Sequence, residues 1–375
     1  MKAKTQFTQA RPAKDTIAAS TVDVKGVDRG AGMPPMLRHL LFALLALAGI
    51  VAVSFIADPF TNLRIATIGY YLIAVAGLTV LTGLTGQVSL GHGAFMLVGA
   101  YTVALLVVYV PSLPFWVDLL LAALASAVAG TLTGAAAARL HGPYLAGATL
   151  ALAVGLPAVT QRFPEFLGGS NGLGFTVNSM PPALSGVIPQ TQWQAWVVWL
   201  VVLVALVVLA NLVGGQFGRR LRAVRDDEVS AELAGVHLGR TKILAFLISA
   251  VCGGLAGGLQ AFLLGTAAPG SFSPALSLSL LAAMVLGGIG SMWGALWGAL
   301  AMVYFQALSE DLAHALALDN DVTNNLPLAV YGAVLVAVVF AFPLGIQGFF
   351  QYLRRLVSSR ATGGSRQDTG REGET

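Results

Sequence analysis

An all-α polytopic bundle of transmembrane helices, about ten spans (8–10) with both termini cytoplasmic, is the fold class this sequence predicts. Three observations predict it. Apolar residues make up 56% of the 375 and charged residues only 10%, whereas soluble domains carry about 25% charge. The apolar residues gather into runs close to the roughly 20 residues that a spanning helix needs. Finally, the basic residues sort to one side of those runs. A mean hydropathy of +0.78 agrees. This balance excludes a soluble enzyme, a disordered regulator and a secreted scaffold. The single cysteine, Cys252 in an apolar run, provides neither a disulfide framework nor a thiolate metal site.

The elements follow in order. Residues 1–36 are polar and mixed in charge, with no apolar stretch of a signal peptide, and read as a solvated N-terminal tail. A membrane domain spans 37–350, with apolar runs near 37–57, 63–83, 87–110, 115–138, 143–160, 193–213, 243–265, 275–288, 293–309 and 326–349. Two are short. The run 143–160 is interrupted by Pro143, Gly147, Gly155 and Pro157, and 275–288 is shorter still, so tilted, broken or re-entrant helices are expected there. A polar C-terminal tail, 351–375, completes the chain.

Ten spans place the basic residues of both tails, Arg139, and Arg219, Arg220, Arg222, Arg225, Arg240 and Lys242 on one side, leaving only Arg64 and Arg162 opposite. By the positive-inside bias the termini and the 214–242 loop are cytoplasmic. The other side carries two longer segments, 161–192 and 310–325.

Absent motifs narrow the function. There is no G-x-x-x-x-G-K-[ST] loop and so no ATPase site of its own, no His/Cys/Asp/Glu metal cluster, and no catalytic pair within the spans. The spans also lack mid-membrane Asp, Glu, Lys or Arg that would relay protons or coupling ions. Asp118 and Arg139 fall near the ends of their run and are expected to reach the interface.

Three segments carry the remaining information. In 82–93, glycines alternate with Gln87, Ser89 and His92 between two apolar runs. Glycine frees the backbone, and irregular backbone at membrane depth is tolerated only inside protein or along a cavity. The segment is either a broken helix lining a polar path, with Gln87, Ser89, Gly91, His92 and Gly93 as path or gating positions, or an ordinary polar turn. In the loop after the sixth run, Leu221, Val224, Val229, Leu233 and Val236 recur at helical spacing. Asp226 and Asp227 suit a helix start and Gly235 a stop. This amphipathic segment is expected to dock into a partner through Arg222, Arg225, Asp226, Asp227, Glu228 and Glu232, the plainer alternative being a positive-inside anchor. Lastly, Gly253, Gly254, Gly257, Gly258, Gly290 and Gly294 form small-residue faces for close helix packing, within the chain or between subunits.

Together these segments resemble the branched-chain amino-acid permease family of bacterial ABC importers, particularly its LivM-type subunits. The block from Gly83 through Gln87, Ser89 and His92 to Phe95, continuing to Gly99-Ala100-Tyr101, is similar to the family's most recognisable motif. Gly168-Gly169-Ser170-Asn171-Gly172-Leu173, Phe217 to Gly235, and Leu286 to Gly294 resemble its external, cytoplasmic and late glycine motifs, in the same order. Of the importers' coupling signature, Glu-Ala-Ala followed three residues later by Gly, only Ala231 and Gly235 match.

The resemblance implies a permease subunit in the bacterial inner membrane that forms a path for leucine, isoleucine or valine. It implies a second, LivH-type permease, two cytoplasmic ATPase subunits that bind the ATP, and an extracytoplasmic substrate-binding protein, with no cofactor, metal or nucleic acid. A urea or short-amide importer, or a stand-alone secondary transporter or channel, are the alternatives.

Overall fold

The computed structural model describes residues 34–315, apart from 141, 178 and 185, and a few isolated residues beyond them (329, 332, 333 and 346–348). The expected tenth run at 326–349, most of the segment 310–325 and both polar tails lie outside the described residues.

Helix α1 (Pro35–Ile56) turns at Asp58 into α2 (Pro59–Leu78). Asp58 is extended, and its carboxylate accepts the N–H groups of Phe60 and Thr61 at 3.1 and 3.3 Å. This satisfies two of the donors a helix start leaves open, while Pro59 needs none. The Thr61 hydroxyl also donates to it, and that bond is the main reason the carboxyl is held below its usual range.

Then follow α3 (His92–Tyr109), α4 (Phe115–Ala137), α5 (Pro143–Arg162), the single turn α6 (Pro164–Leu167), α7 (Gln190–Gly214), α8 (Gln216–Asp226), α9 (Glu228–Leu233), α10 (Leu238–Leu264), α11 (Pro274–Gly287) and α12 (Met292–Ala315). Seven of the described helices (α1–α5, α7 and α10) are long and apolar enough to cross a membrane, and α11 and the apolar part of α12 are shorter. The protein is a multi-pass helical membrane protein. The interrupted run at 143–160 is one continuous helix that accommodates Pro157. Helix α12 passes the end expected at 309.

Small residues decide the centre of the bundle. Helix α10 lies against α2, α3 and α4. A methyl group on Gly99 of α3 would collide with the Gly254 carbonyl, and one on Gly257 with the Met96 carbonyl. On α4, Gly130 and Gly134 face Ala250 and Phe246 in the same way. Such approach brings backbones close enough for dispersion to hold helices together where lipid removes the hydrophobic drive. Helix α2 fills the interior and is buried along most of its length, while almost none of α1 is buried and it is peripheral. Polar pairs fasten α1 to α7 at both ends. Trp196 Nε1 donates to Ser54 Oγ at 2.7 Å, and His39 Nδ1 bonds Asn211 Oδ1 at 3.1 Å.

Across from α8 and α9, the segment after α5 is tied down by a two-stranded antiparallel pair, β1 (Leu173–Gly174) with β2 (Thr266–Ala267), in which Leu173 faces Ala267. Gly168, Gly169 and Gly172 take positive φ there, which accounts for the glycine-rich motif preceding β1.

Candidate translocation and coupling site

At the end of the bundle that carries α8 and α9, helix α2 finishes in a π-helical turn, Thr79–Gly83. Such turns widen a helix and recur at functional sites. Hydroxyls in the turn and just after it bond carbonyls of the same segment: Thr79 Oγ1 donates to Val75 O at 2.8 Å, Thr82 Oγ1 to Gln87 O at 2.9 Å, and Thr85 Oγ1 to Leu81 O. Gly86, at φ 74°, breaks the helix. Residues 86–91 then run without regular structure until α3 begins at His92.

That start is deep in the bundle. The His92 ring packs on α10, with Nδ1 and Ser249 Oγ 3.4 Å apart, beside Gly253. Ser249 is eleven residues along α10 from Leu238, or about 16 Å at 1.5 Å per residue. The irregular segment therefore climbs from the α8–α9 end to the interior, and α3 starts there. Helix α11 starts at the same level, because Gly93 N–H donates to Ser277 Oγ at 3.0 Å in its first turn. With 14 residues, α11 is about 21 Å long, too short for a hydrocarbon core of about 30 Å. Two helix N-termini thus meet inside the apolar bundle, the arrangement by which discontinuous helices form interior polar sites.

The sequence-derived path positions sit as follows. Ser89 is fully buried, with its Oγ accepting the Gly91 N–H at 3.4 Å. Leu90 N–H donates to Thr149 Oγ1 on α5 at 3.0 Å, and Gly91 lies so close to the Thr149 carbonyl that a Cβ would stand 2.5 Å from it. Gln87 is buried, and neither its Oε1 nor its Nε2 has a hydrogen-bond partner among the described residues. His92 turns into the bundle, and its Nε2 has no hydrogen-bond partner within bonding distance among the described residues. Thr149 and Ser277 were not singled out from the sequence. They are hydroxyl residues within apolar runs, and only the packing brings them to the break.

The loop after α7 differs from the expected single amphipathic helix. Asp227 is extended, and its Oδ1 accepts the Ser230 N–H at 2.8 Å as the cap of a second helix. That backbone bond is the main cause holding the Asp227 carboxyl below its usual range. The break rotates the two apolar stripes apart. Leu221 and Val224 are buried, whereas Val229 and Leu233 are 69% and 86% exposed. Gly235, at φ 84°, closes α9, with Val236 N–H donating to Ala231 O at 2.9 Å, the bond of a Schellman cap.

Most charges expected to face a partner have partners within the chain. Arg222 donates to Val213 O at 3.1 Å, Arg225 Nη1 to Gly83 O at 2.7 Å, and Lys242 pairs with Glu228 at 2.7 Å. Asp226 and Glu232 are exposed.

The packing glycines also have places. Gly253, Gly254, Gly257 and Gly258 face α3 and α4, and Gly290 and Gly294 pack against Gly83 and the 287–288 backbone. Asp118, expected at the interface, is buried, and its Oδ1 has no partner among the described residues. It lies four residues below the Pro114 cap, on the face α4 turns toward α10.

Residues 62–357 match the model of a family described as the permease component of branched-chain amino acid transport systems. The chain belongs to this permease family. It is 33% identical over 356 residues to the high-affinity branched-chain amino acid transport system permease protein LivM of Salmonella typhimurium, covering 87% of this chain and 78% of that protein. Against LivM of Escherichia coli it is 32% identical over 339 residues, 82% and 74% respectively. No solved structure matches the chain. Within this family of permease components, the matched region contains both the α2–α3 break and the α8–α9 loop.

Proposed function

We propose that the chain is the permease subunit of an ABC importer in the bacterial inner membrane, carrying a branched-chain amino acid (leucine, isoleucine or valine). It pairs with a second, LivH-type permease, receives substrate from an extracytoplasmic binding protein, and is driven by two cytoplasmic ATPase subunits on the α8–α9 side. Relatives at 32–33% identity with that transport name support the substrate class.

One observation carries the division of labour. Val229 and Leu233 stand four residues apart on one face of α9, outside the spanning helices and turned away from the bundle. An apolar pair held in water by a capped helix fits insertion into a partner's groove. The passage for substrate runs past the α2–α3 break. A zwitterion crossing an apolar bundle needs hydrogen-bond partners, and Gln87 offers a donor and an acceptor.

Reconstitution tests this. In liposomes the chain alone, under any ion gradient, should accumulate no leucine, and uptake should appear only with permease partner, ATPases, binding protein and ATP together. Gradient-driven uptake by the chain alone would falsify the proposal.

A further inference from the structure

Resting on that reading, we propose that Arg225 is a positioning residue: it couples movement of α8 to the two interior helix starts and is not part of the surface that meets the ATPase. The geometry begins at the Gly83 carbonyl, in the last turn of the helical run of α2, where the negative end of its dipole lies. Arg225, the second-last residue of α8, donates to that oxygen at 2.7 Å. The same oxygen lies 3.2 Å from where a Cβ of Gly290 would stand, and that Cβ would be 3.5 Å from Arg225 Nη1. A Cβ on Gly83 would come within 2.7 Å of the Gly290 nitrogen, and one on Gly86 within 3.5 Å of Arg225 Cγ.

One arginine thus lies against three backbone segments: its guanidinium bonds the end of α2 and sits beside the α11–α12 turn at Gly290, while the aliphatic part of its side chain lies beside Gly86, the first residue of the break. Glycine at 83 and 290 lets those two backbones approach, and glycine at 86 supplies the positive φ of the break. Gly86 leads along 86–91 into α3, and Gly290 sits in the turn joined to α11. The far ends of both routes are themselves bonded, Gly93 N–H to Ser277 Oγ. The contacts close a ring from α8 to the paired N-termini and back. A shift of α8 that leaves Gly83 in place strains or breaks a charge-assisted hydrogen bond, which is about twice as strong as a neutral one.

The measurement compares Arg225→Met, Arg225→Lys and Leu233→Asp in the full complex in proteoliposomes. Arg225→Met should co-purify with the ATPase subunits as the wild type does and keep basal ATP hydrolysis. Its stimulation by leucine-loaded binding protein should fall about tenfold, as expected for losing one charged hydrogen bond in the moving state. Arg225→Lys, which keeps a cationic donor, should retain most of the stimulation. Wild-type stimulation in Arg225→Met overturns the inference, and so does loss of ATPase co-purification, which would make Arg225 a docking residue. Leu233→Asp is the control on the reading beneath: if it leaves co-purification intact, the docking surface is wrong whatever Arg225 does. Should Arg225→Met not survive extraction, Val88→Cys in a Cys252→Ala chain decides. Its thiol-labelling rate should shift between nucleotide-free and vanadate-trapped complexes, and an unchanged rate sinks the coupling of this segment to α8.

Discussion

Lys242 and Glu228 form an ion pair of 2.7 Å in which the amine is buried and the carboxylate is 39% exposed. The pair joins the start of α10 to the first turn of α9. With Ala231 buried three residues later, it fixes which side of α9 faces the bundle, and so turns Val229 and Leu233 outward. The burial is unequal, and that makes the pair informative.

Removing either partner should destabilise the protein unequally. Glu228→Ala leaves a buried ammonium without its counter-charge, whereas Lys242→Met keeps the aliphatic stem and leaves a carboxylate that water reaches. Thermal unfolding in detergent should show the larger loss for Glu228→Ala, with the double variant close to Lys242→Met alone. Equal losses would mean that the amine is solvated.

Glycine substitutions should divide by what their Cβ meets. Gly99→Ala drives a methyl group into the Gly254 backbone, while Gly147 has nothing within 4 Å. Overpacking costs about 1–3 kcal/mol, and a helical Gly→Ala change without a clash gains about 0.5–1 kcal/mol. Gly99→Ala should therefore lower the unfolding temperature and Gly147→Ala raise it.

Gln87 separates stability from transport. Its amide is buried without partners among the described residues, a cost that an apolar side chain of similar length avoids. Gln87→Met should unfold at a higher temperature than the wild type and yet import leucine more slowly in the complete system. Undiminished import would remove Gln87 from the path.

Acid should loosen α9 through its cap. The Asp227 carboxyl is held low in the folded state by the Ser230 N–H, so its contribution is complete above the ordinary carboxylate range. That contribution fades as pH falls through the lowered folded value. Hydrogen exchange at residues 228–233 should accelerate on acidification. Asp227→Asn, which caps about as well, should flatten that dependence, and Asp227→Ala should exchange quickly at every pH.

Periodicity and composition are enough for the membrane class and most span positions, because the bilayer imposes length and apolarity on each helix separately. The α2–α3 break was legible for the same local reason: four glycines and three polar residues do not continue an apolar helix. The depth of α3 and α11 was not, since it depends on Gly93 meeting Ser277, 184 residues away. Nor was the orientation of α9. The charges near it looked like a surface for a partner, and only tertiary contacts show that Arg222, Arg225 and Glu228 are held within the chain. Spacing along a strand of sequence sets which residues share a helical face. Which way that face turns is set by groups far apart in the chain, here one carbonyl at Gly83 and one amine at Lys242, and no local pattern encodes such a meeting.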